Sequence, residues 1–256
     1  MVFQLWFSSE NRCKIEFLSS PFGITDLKFL IKIGIKRIKI PSGELNNKPL
    51  LEFISKQNLP VILSTGMATL REIKEATSLL LKNGLSQSKL TLLHCTTDYP
   101  TKLKDVNLKF IETLSNTFNL NFGYSDHTSG IEIPMAATAM GCSIIEKHIT
   151  LDKSSIGPDH AASLNAIEFK KMVESIRNID IGLGKNKKIL SPAEKKNKLL
   201  VRKSIVANQH IKKGQLFTIK NITTKRPGTG ISPMKWNEVL GKKAKKNFYK
   251  DQFIQL

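Results

Sequence analysis

The chain has 256 residues, 40% hydrophobic and 24% charged, which excludes a disordered polymer, and no apolar run approaches the ~18 residues of a membrane-spanning helix. Three widely spaced cysteines exclude a disulfide scaffold or a CxxC zinc site, and the start MVFQLWFSSENR lacks the basic region and cleavage site of a signal peptide, so a cytoplasmic protein is expected. Lys and Arg number 40 against 21 Asp and Glu, a formal +19, but only 6 of the 40 are Arg and no basic–aromatic motif is present; this favours a lysine-rich solvated surface or an anionic small substrate and sets nucleic acid aside.

Residues 1–180 repeat one pattern. Short apolar runs of strand length fall at 15–19, 37–40, 60–64, 90–94, 121–125 and 143–147. Segments with helical spacing lie between and after them, at 25–33, 49–57, 69–83, 105–118, 130–140 and 165–178. Thr69 and Glu72 have capping-box spacing, and Gly84 suits the end of that helix. Alternating strands and helices predict a parallel sheet. Polar motifs follow nearly every strand: SSPFG, PSGE, STGM, HCTTDYP, SDHT and KHITLD. A doubly wound sheet would concentrate its chemistry at one switch point, whereas a (β/α) barrel carries it at every strand end. Six units are counted where a full barrel has eight, so an incomplete TIM barrel is predicted. Residues 181–199, rich in Lys, Gly and Pro, read as a linker, and residues 200–256 as a small β-rich domain.

GYSDHT and EKHITLD place His127 and His148 at the ends of two consecutive strands. Neighbouring strands lie about 4.8 Å apart, so the two imidazoles can share a divalent ion, which would polarise a carbonyl. Alternatively, each is a strand-end histidine satisfied by the core. Lys39, Ser42 and Glu44 in KIPSGE, with Ser64 and Thr65 in STGM, supply an ammonium, hydroxyls and glycine-exposed amides of the kind a phosphate needs; such residues are also common in ordinary βα turns. Asp159 in GPDH could bond sugar hydroxyls or fix a turn. His94 and His210 read as structural and surface residues, and Cys95 has no evident activating partner. Arg226, in KRPGTGISP, could clamp an anion or simply sit in a rigid turn.

FLSSPF, KIPSGE, LSTGM, LLHCTTDYPT, GYSDHTSG, IEKHITLD, GPDHAASL, RKSIVA, IKKG and KRPGTGISP occur in this order along nearly the whole chain. Together they resemble the bacterial sialic acid synthases: N-acetylneuraminate synthases and their legionaminate and pseudaminate relatives. The resemblance implies a barrel followed by an antifreeze-like SAF domain. It also implies condensation of phosphoenolpyruvate with N-acetylmannosamine or a related acetamido sugar, with release of phosphate. His127 and His148 then match the ligands of Mn²⁺ or Mg²⁺. Lys39, Ser42, Ser64 and Ser125 match positions that grip phosphoenolpyruvate, and Ser20 stands where Thr is common. Glu44, Tyr99 and Asp159 match sugar-contacting or activating positions, and Thr97 replaces an Asn found in some members. Arg226 matches an arginine that the SAF domain lends to the partner subunit's site in a homodimer. Family members begin with two further βα units that bear a glutamate, a lysine and a glutamine, whereas this chain enters just before the third strand. Activity is therefore expected where those units are supplied; the alternative is an inactive remnant that binds sugar or dimerises through its SAF module.

Overall fold

The computed structural model describes residues 15–157 and 159–256. It divides into two compact units, Met1–Gly184 and Lys185–Leu256.

In the first unit, five strands run in sequential order and all pair in parallel: β1 (Ile38–Ile40), β2 (Val61–Ser64), β3 (Leu90–Cys95), β4 (Asn121–Asp126) and β5 (Ile145–Lys147). Around them lie helices α1 (Ile24–Lys32), α2 (Lys48–Ser55), α3 (Leu70–Lys82), α4 (Phe110–Phe118), α5 (Glu132–Ala139) and α6 (Ala166–Leu183). This is an incomplete (β/α) barrel, open after five strands. The segment expected as a first strand, 15–19, is irregular in the structure. It is tied to the mouth of β1 by side chains, Glu16 pairing with Arg37 at 2.6 Å, rather than by a ladder. The segment 1–14 lies outside the described residues.

Strand alternation sorts the residues. Ile38, Ile40, Val61, Leu63, Leu90 and Leu92 point outward and join Leu27, Leu30, Leu50, Ile54, Ile73 and Leu80 of the helices in the main core. A second cluster under α4 and α5 contains Tyr124, Ile111, Ala137 and Val106. Burial on both faces explains why β2 and β3 read as continuous apolar runs rather than alternating ones. Helix α3 starts on the expected capping box, Thr69 Oγ1 accepting from the Glu72 amide and the Glu72 carboxylate from the Thr69 amide. It closes before Gly84, whose φ of +109° favours glycine. Helix α6 opens on a second box, Asn165 with Glu168.

Among the described residues the sheet does not close on itself. Beyond β5, Ile149 makes one parallel bridge with Leu164. Large apolar side chains stay exposed toward both ends of the sheet, among them Leu18 and Phe22 before β1 and Ile149, Leu151 and Ile156 after β5. An open sheet edge with apolar neighbours of this kind is normally covered by further chain. No helix among the described residues is long and apolar enough to cross a membrane.

The second unit carries helix α7 (Pro192–Val201), the antiparallel pair β6 (Ser204–Ala207) and β7 (Ile222–Lys225), and the short helix α8 (Trp236–Val239). The stretch read as a linker, 181–199, thus holds the end of α6 and most of α7. Ser191 caps α7 with Glu194, and Pro192 occupies its first turn. Ile205, Ile211, Phe217, Ile222, Val239, Phe248 and Ile254 form a separate core.

Candidate active site

The residues that point inward from the strand ends meet in one cavity of about 240 Å³. It is lined by Lys39 of β1, Ser64 of β2, Cys95 of β3, Ser125 of β4 and Glu146 of β5. Ser42, Thr97, Tyr99, His127 and His148 of the following turns complete it. On β4 and β5 the alternation is direct: Ser125 and His127 stand two residues apart, as do Glu146 and His148. Ser125 lies opposite Glu146 in the register.

His127 is buried, and its Nδ1 lies 2.7 Å from the Thr96 carbonyl oxygen. A carbonyl only accepts, so Nδ1 carries the proton, and Nε2, 3.5 Å from Ser125 Oγ, keeps the lone pair that a ligand would use. Burial holds the imidazole pKa below its ordinary value, the bond to Thr96 opposes this, and the neighbouring His148 lowers it further. The ring is therefore a neutral donor near pH 7. The His148 ring stands at 83° to it with centroids 5.2 Å apart. Asp159 Oδ2 lies 3.8 Å from His148 Nδ1. The backbone of His148 is fixed as well, its carbonyl accepting from the Leu164 amide. Tyr99 packs its ring 4.3 Å from His127 and 5.6 Å from His148, forming a lid on one side. Its hydroxyl pKa is raised, first by burial and then by nearby Cys95, Asp159 and Glu146.

The donor chemistry fits a divalent cation: one lone pair held in the right tautomer by a backbone acceptor, with a second imidazole beside it. Among the described residues no group of three or more His, Cys, Asp and Glu is placed to hold a metal. The protein's share would thus be two nitrogens, with the remaining positions left to water and substrate oxygen.

Lys39 is only 7% exposed and its Nζ lies 3.3 Å from Glu146 Oε2. Glu146 Oε1 accepts from Ser125 Oγ at 2.6 Å. Ser64 Oγ is buried in the same cavity without a hydrogen-bond partner, a cost of ~1–3 kcal/mol unless a bound group meets it. Ser42 Oγ accepts from the Gly66 amide at 3.0 Å and lies 3.3 Å from Cys95 Sγ. Gly66 is obligatory for this packing, because a Cβ there would collide with Thr97 Oγ1 and lie 2.8 Å from Ser42 Oγ.

The fold thus brings Lys39, Ser42, Ser64, Tyr99, Ser125, His127 and His148 together, with Asp159 beside His148. Ser20 is half-buried in the irregular segment and does not line the cavity. Glu44 also stays out of the lining; its carboxylate accepts from Asn47 Nδ2 at 2.6 Å in the turn that leads into α2. Arg226 belongs to the second unit, exposed, its Nε donating to the Val201 carbonyl at 2.8 Å. His94 packs outward, bonded to the Val106 carbonyl at 2.9 Å and edge-on to Phe110.

Sequence reasoning missed Glu146. The two-residue step from His148 along a strand would have found it. It also missed the buried pair behind the histidines, in which Lys147 Nζ lies 2.5 Å from Asp126 Oδ2. Thr128 adds to it, its hydroxyl donating to the Asp126 carboxylate and its carbonyl accepting from Lys147. Asp126 and Lys147 face each other in the register, so this clamp fixes β4 to β5 directly behind the two rings.

Residues 4–188 match the model of the NeuB family, and residues 202–256 that of the SAF domain. The N,N'-diacetyllegionaminic acid synthase of Campylobacter jejuni is 50% identical over 96% of this chain and 73% of its own length. The N-acetylneuraminic acid (sialic acid) synthetase of Leptospira borgpetersenii, crystallised with citrate, is 37% identical with a TM-score of 0.68, over 75% of this chain and 67% of its own. The spore coat polysaccharide biosynthesis protein spsE of Bacillus subtilis is 29% identical with a TM-score of 0.66, over 97% and 74%. The sheet of strand-end motifs, the cavity and these likenesses agree: the chain belongs to the NeuB family of synthases, joined to a SAF domain.

Proposed function

We propose that the cavity joins phosphoenolpyruvate to an acetamido sugar aldehyde, giving a nonulosonic acid and inorganic phosphate. The observation that carries this reading is the buried Ser64 hydroxyl without a partner, in the same cavity as the ammonium of Lys39 and the hydroxyls of Ser42 and Ser125. An anionic ligand would meet the Ser64 hydroxyl and the remaining N–H donors of Lys39, with Ser42 beside it, while Ser125 stays bonded to Glu146.

In the reaction, the methylene carbon of phosphoenolpyruvate bonds to the aldehyde carbon, whose oxygen takes up a proton. Water adds to the resulting cationic carbon and loses a proton. The tetrahedral product then expels phosphate with its bridging oxygen. Lys39 holds the anion, and Glu146 orients both Lys39 and Ser125. Tyr99 excludes water from the face that carries His127 and His148. Mn²⁺ or Mg²⁺ bound by these two histidines would supply a Lewis acid for the aldehyde oxygen. Asp159 keeps the His148 ring in place and faces the sugar. Arg226 serves the site of a second copy in a homodimer.

Of the acetamido sugars, the diacetamido hexose that would yield N,N'-diacetyllegionaminic acid is favoured over N-acetylmannosamine by the 50% identity to the Campylobacter jejuni synthase. The exposed apolar residues at both ends of the open sheet favour an enzyme that turns over only with the rest of its barrel wall present.

The test is phosphate release from phosphoenolpyruvate with each sugar and Mn²⁺, with and without a polypeptide carrying the two N-terminal βα units of a family member. Release that requires both substrates and the added units supports the reading. Binding of phosphoenolpyruvate to the chain alone is measured in parallel by calorimetry. Its absence at millimolar ligand, or its survival in Lys39→Met, would overturn the assignment of the cavity.

A further inference from the structure

The charge of this protein is not spread evenly. Residues 185–256 carry 19 Lys and Arg against 3 Asp and Glu, a formal +16, while the first 184 residues carry 21 against 18, only +3. A lysine-rich composition alone would raise the cations in both units without stripping the acids from one. The three acids that remain are each taken by a lysine: Glu194 by Lys188, Asp251 by Lys225 and Glu238 by Lys235. The rest of the basic surface has no further Asp or Glu within the unit to meet it.

Folding gathers part of this charge into one ribbon. The segments 211–216 and 243–248 run antiparallel, joined by bridges Ile211↔Phe248 and Leu216↔Lys243 and by the Gly214 amide donating to the Ala244 carbonyl. Ile211, Ala244 and Phe248 point into the core, leaving Lys212, Lys213, Lys243, Lys245 and Lys246 exposed on the two neighbouring segments. Lys242 extends the ribbon. At the Ile211–Phe248 end, the His210 and Tyr249 rings lie with centroids 5.2 Å apart and planes tilted at 39°, and Tyr249 is 61% exposed. In sequence, Tyr249 falls within the lysine run 242–250, and His210 just before Lys212 and Lys213. The strand pairing puts the aromatic pair at the tip of the lysine ribbon.

We propose that this ribbon binds single-stranded nucleic acid, its lysines tracking phosphates and the His210–Tyr249 pair offering a stacking face for a base. The aromatic pair favours nucleic acid among polyanions, because every base has a π-face that can stack on an exposed ring. This role is independent of the synthase cavity and asks nothing of its residues.

The test is fluorescence anisotropy of a labelled 20-nucleotide oligo(dT) with the full chain. Six phosphate contacts on a single strand predict that affinity falls about 300-fold between 50 and 200 mM salt. Tyr249→Ala should weaken binding about tenfold at fixed salt. Combined Lys212→Glu, Lys213→Glu, Lys245→Glu and Lys246→Glu should abolish it, whereas Glu at Lys185, Lys187 and Lys188 should weaken it only a few-fold. Thermal melting of each variant checks that the unit remains folded, and Tyr249→Phe, which keeps the ring, should bind as the parent does. Three results would overturn the proposal: no binding at 50 mM salt, equal binding of polyglutamate, or tighter binding of phosphatidylglycerol vesicles than of oligonucleotide. Binding indifferent to Tyr249→Ala would do so as well.

Discussion

The two faces of β4 and β5 use successive residues for opposite ends. On the outer face, Asp126 and Lys147 are 0% and 1% exposed and pair with each other and with Thr128. On the inner face, one residue along, Ser125, His127, Glu146 and His148 line a cavity whose polar groups are only partly satisfied. On the outer face the charges are paired and hold the strands in register, although the buried Tyr124 hydroxyl has no partner; the inner face keeps Ser64 Oγ and a histidine lone pair in reserve for something bound. Strand alternation lets one short segment, such as SDH or EKH, serve both needs without a compromise at any single residue.

The largest expected effect comes from breaking the outer face. Asp126→Ala or Lys147→Met leaves one buried charge unpaired and should cost about 3–5 kcal/mol of stability, read as a lowered urea midpoint. Asp126→Leu combined with Lys147→Met removes both charges and should recover most of that loss. If the single and double variants were equally destabilised, the pair would not be the clamp described.

Crowding the inner face should leave stability closer to the parent and remove binding instead. At Gly66 a methyl meets Thr97 Oγ1, Ser42 Oγ and Cys95 Sγ at once. Gly66→Ala should therefore weaken phosphoenolpyruvate binding at least tenfold, and Thr97→Ala in the same chain should restore part of it. Unchanged binding in Gly66→Ala would mean that the ligand sits elsewhere.

A smaller effect separates the faces by pH. Burial lowers the pKa of outward-facing His94 from its ordinary 6.5, against the raising effect of the Val106 and Asn107 carbonyls. The unfolded chain therefore takes up this proton first. Stability is complete above about pH 6.5 and falls as the pH drops from there through the depressed folded value. His94→Gln keeps a donor for Val106 but cannot titrate, so its urea midpoint should fall less between pH 8 and pH 5 than the parent's.

Much of this was legible in the sequence, and the exceptions have physical causes. Helix α3 announced itself through Thr69, Glu72 and Gly84, because capping is local chemistry. His127 and His148 were readable because each follows an apolar run at a strand end. The clamp was not, since Asp126 and Lys147 meet only through a register set by tertiary packing. The segment 15–19 read as a strand because Ile15, Phe17 and Leu18 have strand propensity, yet a strand exists only where a neighbour completes its ladder. Glu44 was placed at the site by resemblance and is drawn to Asn47 instead, a local bond that spacing alone does not reveal. The unpartnered Ser64 hydroxyl is a property of the cavity, visible only once five strands surround it.

The most direct test of the inner face as a ligand site is Mn²⁺ binding to the chain, followed by electron paramagnetic resonance of the free ion. Mn²⁺ should bind at about one site per chain and be lost in both His127→Ala and His148→Ala. Asp126→Asn, which perturbs the clamp from behind, should weaken it without abolishing it. Full binding in the two histidine variants would contradict the account.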